Sequence, residues 1–185
     1  MEKRKIYFLY LIFILSFVGC ATSGKNNLYY DVKGTTLEEI KESMNQQRKI
    51  HAKGKDAYTK WSVRFNFKKR KDGGNCTMER VDVSITSTTM MPRLINLEEL
   101  SPELQDKWKV YLKNQLKHQM MQEEFAVKAK KELKEMLLAM KEVDCSKLNR
   151  DANTLGDSIV QKYGEFRDAY NKKTDYGVKN GAIFR

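Results

Sequence analysis

Tyr58-Thr59-Lys60-Trp61-Ser62-Val63-Arg64-Phe65-Asn66-Phe67-Lys68 alternates apolar and polar side chains. Trp61, Val63, Phe65 and Phe67 fall on one side, and Lys60, Ser62, Arg64, Asn66 and Lys68 on the other. This is the period of a half-buried strand. Asp72-Gly73-Gly74-Asn75 follows as a strong turn. Alternation then resumes, with Val81, Val83 and Ile85 set against Asp82, Ser84 and Thr86. The stretch predicts a β-hairpin, and Pro92 is expected to end it, because proline cannot donate to a ladder.

Toward the N-terminus, Leu28 to Lys33 reads as a first strand and Gly34 as a turn. Thr36 with Glu39 forms a capping box, so a helix starts there. Leu37, Ile40 and Met44 give it one apolar stripe. His51 to Asp56 is expected to be loop. Toward the C-terminus, Ser101 and Pro102 suit an N-cap and first helical position. Leu104, Trp108, Leu112, Leu116 and Met120 then predict a long amphipathic helix, continuous, bent or divided, to about Glu142. Cys145 falls in a turn. A last helix carries Leu148, Leu155, Ile159, Tyr163, Phe166 and Tyr170. The tail, Thr174 to Phe184, reads as loop or a short strand. The class is α+β: a small antiparallel sheet packed against a long helix and a C-terminal helix.

The 185-residue length suits one domain plus a targeting segment. Two prolines and ten glycines argue against a long disordered linker. A formal charge of +11 suits nucleic acid, an anionic membrane or a cell-wall surface as partner. The cations are scattered rather than gathered into a tract, and the N-terminus carries an export signal. Nucleic acid is therefore not expected.

That signal begins with Lys3, Arg4 and Lys5, followed by an apolar run from Ile6 to Val18. The run is short for a membrane span of about 20 residues and suits a signal peptide. It ends Ser16-Phe17-Val18-Gly19-Cys20, which resembles a bacterial lipoprotein signal, with Phe17 where leucine is usual. The expected organisation is a signal peptide over 1–19, a lipidated tether over 20–27 beginning at Cys20, and one domain over 28–185. The alternative is plain secretion with cleavage after Ala21. Lipidation is preferred because it gives the exposed Cys20 a purpose. The protein is thus expected in the cell envelope, held to the membrane by lipid, at the outer membrane if the host has two. Cys76 and Cys145 then remain. In an oxidising compartment they are expected to pair, the alternative being two buried thiols.

The long helix contains His118-Gln119-Met120-Met121-Gln122. In H-E-x-x-H, two histidines on one helical face bind zinc and the glutamate acts on the metal-bound water. Here Gln119 and Gln122 stand at the second and third chemical positions. The surroundings also match: Tyr29-Tyr30-Asp31-Val32, Gly34, Ala57-Tyr58-Thr59, Trp61, Val63, Cys76, Pro92, Trp108, Tyr111, Cys145, Thr174-Asp175-Tyr176-Gly177 and Gly181-Ala182-Ile183-Phe184. In order and spacing, these residues resemble a bacterial family of predicted secreted zinc-dependent proteases, itself a domain of unknown function. The resemblance implies a zincin-like central helix. It places a first zinc ligand on His118, the general base on Gln119, a second ligand on Gln122 and a third on Tyr176.

Only one of those four positions keeps a usable residue. Catalytic zinc needs three ligands drawn from His, Cys, Asp and Glu, and Gln119 cannot take a proton from water. No metal or other cofactor is expected, and His118 is the sole remaining metal candidate. The expected function is a non-catalytic envelope lipoprotein, a pseudoenzyme binding an envelope protein, a peptide or a cell-wall component. The alternative is a zinc peptidase with an unconventional site of His118, His51 and a carboxylate.

Overall fold

The computed structural model describes residues 23–185. The expected signal peptide and Cys20 lie outside the described residues. The chain forms strand β1 (Gly24–Val32), helix α1 (Leu37–His51), strands β2 (Tyr58–Asp72) and β3 (Asn75–Leu94), helix α2 (Pro102–Ala139), short strand β4 (Lys141–Glu142) and helix α3 (Cys145–Thr174). Single 3-10 turns lie at Leu97–Glu99 and Val178–Asn180.

The hairpin of β2 and β3 organises the sheet. Asp72 pairs with Asn75 across Gly73 and Gly74, both at positive φ, as a two-residue hairpin turn requires. The register shifts once, between Lys68 and Lys69. Lys68 pairs with Arg80 and Lys69 with Met78, leaving Glu79 as the extra residue on β3. This bulge moves the buried face from Cys76 and Met78 to Val81 and Val83, so both halves of the strand stay inward.

The α+β class holds, but the sheet is mixed. β1 joins β3 in parallel, giving the order β1-β3-β2, with β4 pairing the start of β3. β1 begins at Gly24 rather than Leu28, so residues 24–27, expected in the tether, pair with Thr86 to Thr89. Pro92 does not end the strand. It pairs with Tyr30, and β3 continues to Leu94. β2 leaves β3 at the Tyr58–Met90 pair, so Pro92 faces no neighbour on that side needing its missing N–H.

The helices follow local rules. Thr36 caps α1 by accepting from the Glu39 N–H, while Glu39 Oε2 accepts from the Thr36 N–H. His51 is the last residue of α1 rather than part of a loop. Ser101 caps α2, with Pro102 in the first turn, and the helix runs unbroken for 38 residues, about 57 Å long. Cys145 opens α3 rather than lying in a turn, because Asp144 accepts from the Ser146 N–H as N-cap. Cys76 and Cys145 form a disulfide that ties the start of β3 to the start of α3.

The core has two apolar halves. In one, Tyr30, Val32, Ile40, Met44, Trp108, Tyr111 and Phe184 join β1, α1, the first third of α2 and the tail. Phe184 meets Trp108 edge-on at 5.2 Å. In the other, Val81, Val83, Leu133, Leu137, Leu148 and Ile159 join the sheet to α2 and α3. No described helix is long and apolar enough to cross a membrane.

Candidate functional site

The inward face of α2 changes character along its length. Trp108 and Tyr111 are apolar anchors, and Ala126, Ala129, Leu133 and Leu137 are likewise apolar. Between them the buried positions are Gln115, His118, Gln119 and Gln122, at helical spacing. His118 is 4% exposed, and Gln119 and Gln122 are each 3% exposed. Burying an unpaired amide or imidazole costs about 1–3 kcal/mol, so such a band persists only with partners or a use.

Most of the partners come from distant elements. Gln115 Nε2 donates to the Ala182 carbonyl at 3.1 Å, and Asn114 Nδ2 to the Gly181 carbonyl at 3.0 Å. These two amides clamp the closing segment onto α2. Gln119 Oε1 accepts from the Thr59 hydroxyl at 3.0 Å, and that hydroxyl lies 3.0 Å from Thr89 Oγ1. Gln122 Nε2 donates to Asn171 Oδ1 at 3.0 Å and lies 3.4 Å from His118 Nε2.

Gln122 Nε2 is thus the group nearest His118 Nε2, a contact in which the ring's donor or acceptor role follows its tautomer. Nδ1 has no hydrogen-bond partner. It faces Gly177, where an added Cβ would come within 3.3 Å of it. The ring stacks on Tyr170 at 5.2 Å between centroids. Burial lowers the His118 pKa, and a hydrogen bond with Asn171 opposes that shift. His118 is therefore neutral near pH 7.

These groups line a cleft of about 220 Å³ between β2, α2, α3 and the closing segment. Tyr176 stands at its rim, half exposed, with the Lys55 ammonium 4.7 Å from its ring centroid. Its φ of 50° is unusual for a non-glycine residue. The cleft thus gathers His118, Gln119, Gln122 and Tyr176. His51 does not line it; its ring stacks on Tyr30 at 6.4 Å.

The site does not fit a catalytic metal. His118 is the one imidazole, thiol or carboxylate in the buried band. Glutamine and tyrosine occupy the other positions of the band. Among the described residues, no three His, Cys, Asp or Glu side chains converge as a ligand set. Glu123 points to another face, where it pairs with Lys25 at 2.6 Å and accepts from Ser87 and Thr89.

Sequence reasoning missed Thr59, Asn171 and Arg167 as cleft residues. Asn171 had a usable hint, since it follows Tyr170 on α3 one turn before the closing segment. Thr59 stood only within the matched Ala57-Tyr58-Thr59 stretch, without a role, and Arg167 gave no hint, because their place depends on how β2 and α3 pack against α2.

The fold and site define an α+β domain built on one long helix, whose buried polar band floors a cleft. The chain belongs to a family described as bacterial proteins of unknown function, DUF922, whose sequence model matches residues 28–177. Neither a comparison with curated proteins nor one with solved structures returned a match. Family membership alone assigns no activity.

Proposed function

We propose that the protein is a lipid-anchored envelope protein whose zinc-peptidase-like domain binds a ligand in its cleft without cutting it. The observation that carries this reading is Gln122. Its amide stands at the motif's second ligand position, donates to Asn171 at 3.0 Å and lies 3.4 Å from His118 Nε2. Gln119 at the base position accepts from Thr59 and cannot accept a proton from water. Gln115, Gln119 and Gln122 each hold a hydrogen bond to another element while the cleft stays open, which favours binding over a collapsed relic.

The anchor fits the same picture. With lipid on Cys20 and β1 starting at Gly24, the chain between membrane and sheet can reach at most about 14 Å. Such a leash holds the domain at the bilayer surface. Palmitate labelling should be lost in Cys20→Ser, and unchanged labelling would remove the anchor from this account.

The non-catalytic claim is tested by incubating the purified full chain with unfolded protein and peptide libraries in the presence of added zinc. No cleavage above a His118→Ala control is expected. Turnover that the His118→Ala substitution abolishes would refute it.

A further inference from the structure

The charge around the cleft is one-sided. Lys53 and Lys55 arrive on the connection between α1 and β2, Lys60 on β2 and Arg167 on α3, and all four line the cleft. One carboxylate, Asp168, lines it with them, and it pairs with Arg167 at 2.9 Å. Some lysines elsewhere meet acids, as Lys25 meets Glu123, Lys147 meets Glu142 and Lys162 meets Glu132. Lys53, Lys55 and Lys60 have no carboxylate partner among the described residues.

Two of the three are nevertheless placed rather than free. Lys53 Nζ lies 6.0 Å from the Tyr58 ring centroid and Lys55 Nζ lies 4.7 Å from that of Tyr176. The Arg167 guanidinium lies 5.6 Å from the Trp61 ring. Aromatic faces thus hold Lys53 and Lys55 at the cleft while leaving their N–H donors unspent, whereas Arg167 already donates to Asp168. The floor adds no negative charge: His118 is neutral, and Gln119 and Gln122 are amides. The Gln119 amide nitrogen has no protein partner.

Low-dielectric walls lined by one sign of charge focus the field on whatever enters. We propose that this cleft binds an acidic peptide segment, its carboxylates held by Lys53, Lys55 and Lys60. The backbone favours a peptide as the carrier of that charge. β2 is the terminal strand of the sheet, pairing only β3, and its other edge borders the cleft at Tyr58, Thr59 and Lys60. An open strand edge recognises an extended chain through main-chain hydrogen bonds. The inference rests on the binding reading above and supplies its ligand class.

The test uses the full chain in non-ionic detergent and fluorescence polarisation with three labelled octapeptides, one Glu-Ala, one Ser-Ala and one Lys-Ala. The Glu-Ala peptide should bind at least about tenfold tighter than the Ser-Ala peptide, and the difference should shrink as salt rises. Lys55→Glu with Lys60→Glu should weaken Glu-Ala binding at least about tenfold. Lys131→Glu with Lys134→Glu, the same charge change on exposed positions of α2 outside the cleft, should leave it within about twofold. Circular dichroism melts of both variants confirm that each is folded. Equal affinity for the Glu-Ala and Ser-Ala peptides, or equal weakening by the two variants, overturns the proposal. Inorganic polyphosphate binding the cleft more tightly than the peptide at matched charge would overturn the peptide assignment. Hydrolysis of the probe, seen by mass spectrometry, would instead refute the non-catalytic reading and leave the charge preference standing.

Discussion

Gly177→Ala tests the packing of the closing segment against the His118 ring. Gly177 has φ 96° and ψ −13°, a conformation that disfavours any side chain. Leaving the right-handed region costs an alanine about 1–2 kcal/mol. The new Cβ would also stand 3.0 Å from Ala182 Cβ and 3.1 Å from His118 Cγ. His118 cannot retreat freely, because Tyr170 stacks on its ring. Crowding of this kind adds about 1–3 kcal/mol, so the expected loss is about 3 kcal/mol in all. Urea unfolding followed by the fluorescence of the buried Trp61 and Trp108 would read it as a lower midpoint at unchanged slope. Gly164→Ala supplies the opposite sign. It lies within α3 with nothing within 4 Å of an added Cβ, so it should gain about 0.5–1 kcal/mol. A Gly177→Ala loss below about 0.5 kcal/mol, the range of an ordinary surface change, would refute the described contact.

Three further outcomes follow from the same geometry. Replacing both Cys76 and Cys145 by alanine opens a loop spanning 69 residues and should cost about 4 kcal/mol in urea unfolding; a loss under about 1 kcal/mol would contradict the chain-entropy account. His118 titrates below its ordinary value of 6.5 in the fold, so the unfolded chain binds the extra proton. Stability should therefore be flat above that value and fall as pH drops below it, and His118→Gln should remove this part of the slope. An unchanged slope would count against a buried neutral imidazole. Finally, Gln119→Glu, Gln122→His and Tyr176→His together place a ligand triad and a base around the same cleft. This variant should bind zinc, measured by elemental analysis, and failure to bind would break the proposed correspondence with the zinc-peptidase motif.

The hairpin was legible because alternation is a local property that one buried face imposes on every second residue. The Asp72–Asn75 turn and the caps at Thr36 and Ser101 were legible for the same reason, since each is satisfied within a few residues. β1 was not. Lys25, Asn26 and Asn27 are exposed and lack alternation, so nothing local marks them as strand. Their partners, Thr86 to Thr89, are chosen by the tertiary fold. Pro92 misled because a proline ends a strand only where a neighbour needs its N–H, and β2 has already left. At the site, the helical spacing of His118, Gln119 and Gln122 put them on one face in advance. What they touch was hidden, because Asn171, Tyr170 and Thr59 arrive from elements 49 to 60 positions away in sequence. The lysines around the cleft looked like part of a scattered excess, and their shared direction is visible only in the fold.

The central claim is that the His118 band is built to hold hydrogen bonds rather than a metal. Zinc per chain is the most direct measurement, made by elemental analysis of the full protein folded in an oxidising compartment and mildly dialysed. The account predicts a cooperatively folded protein with far less than one zinc per chain and the same content in His118→Ala. One zinc per chain, lost in His118→Ala, would contradict it.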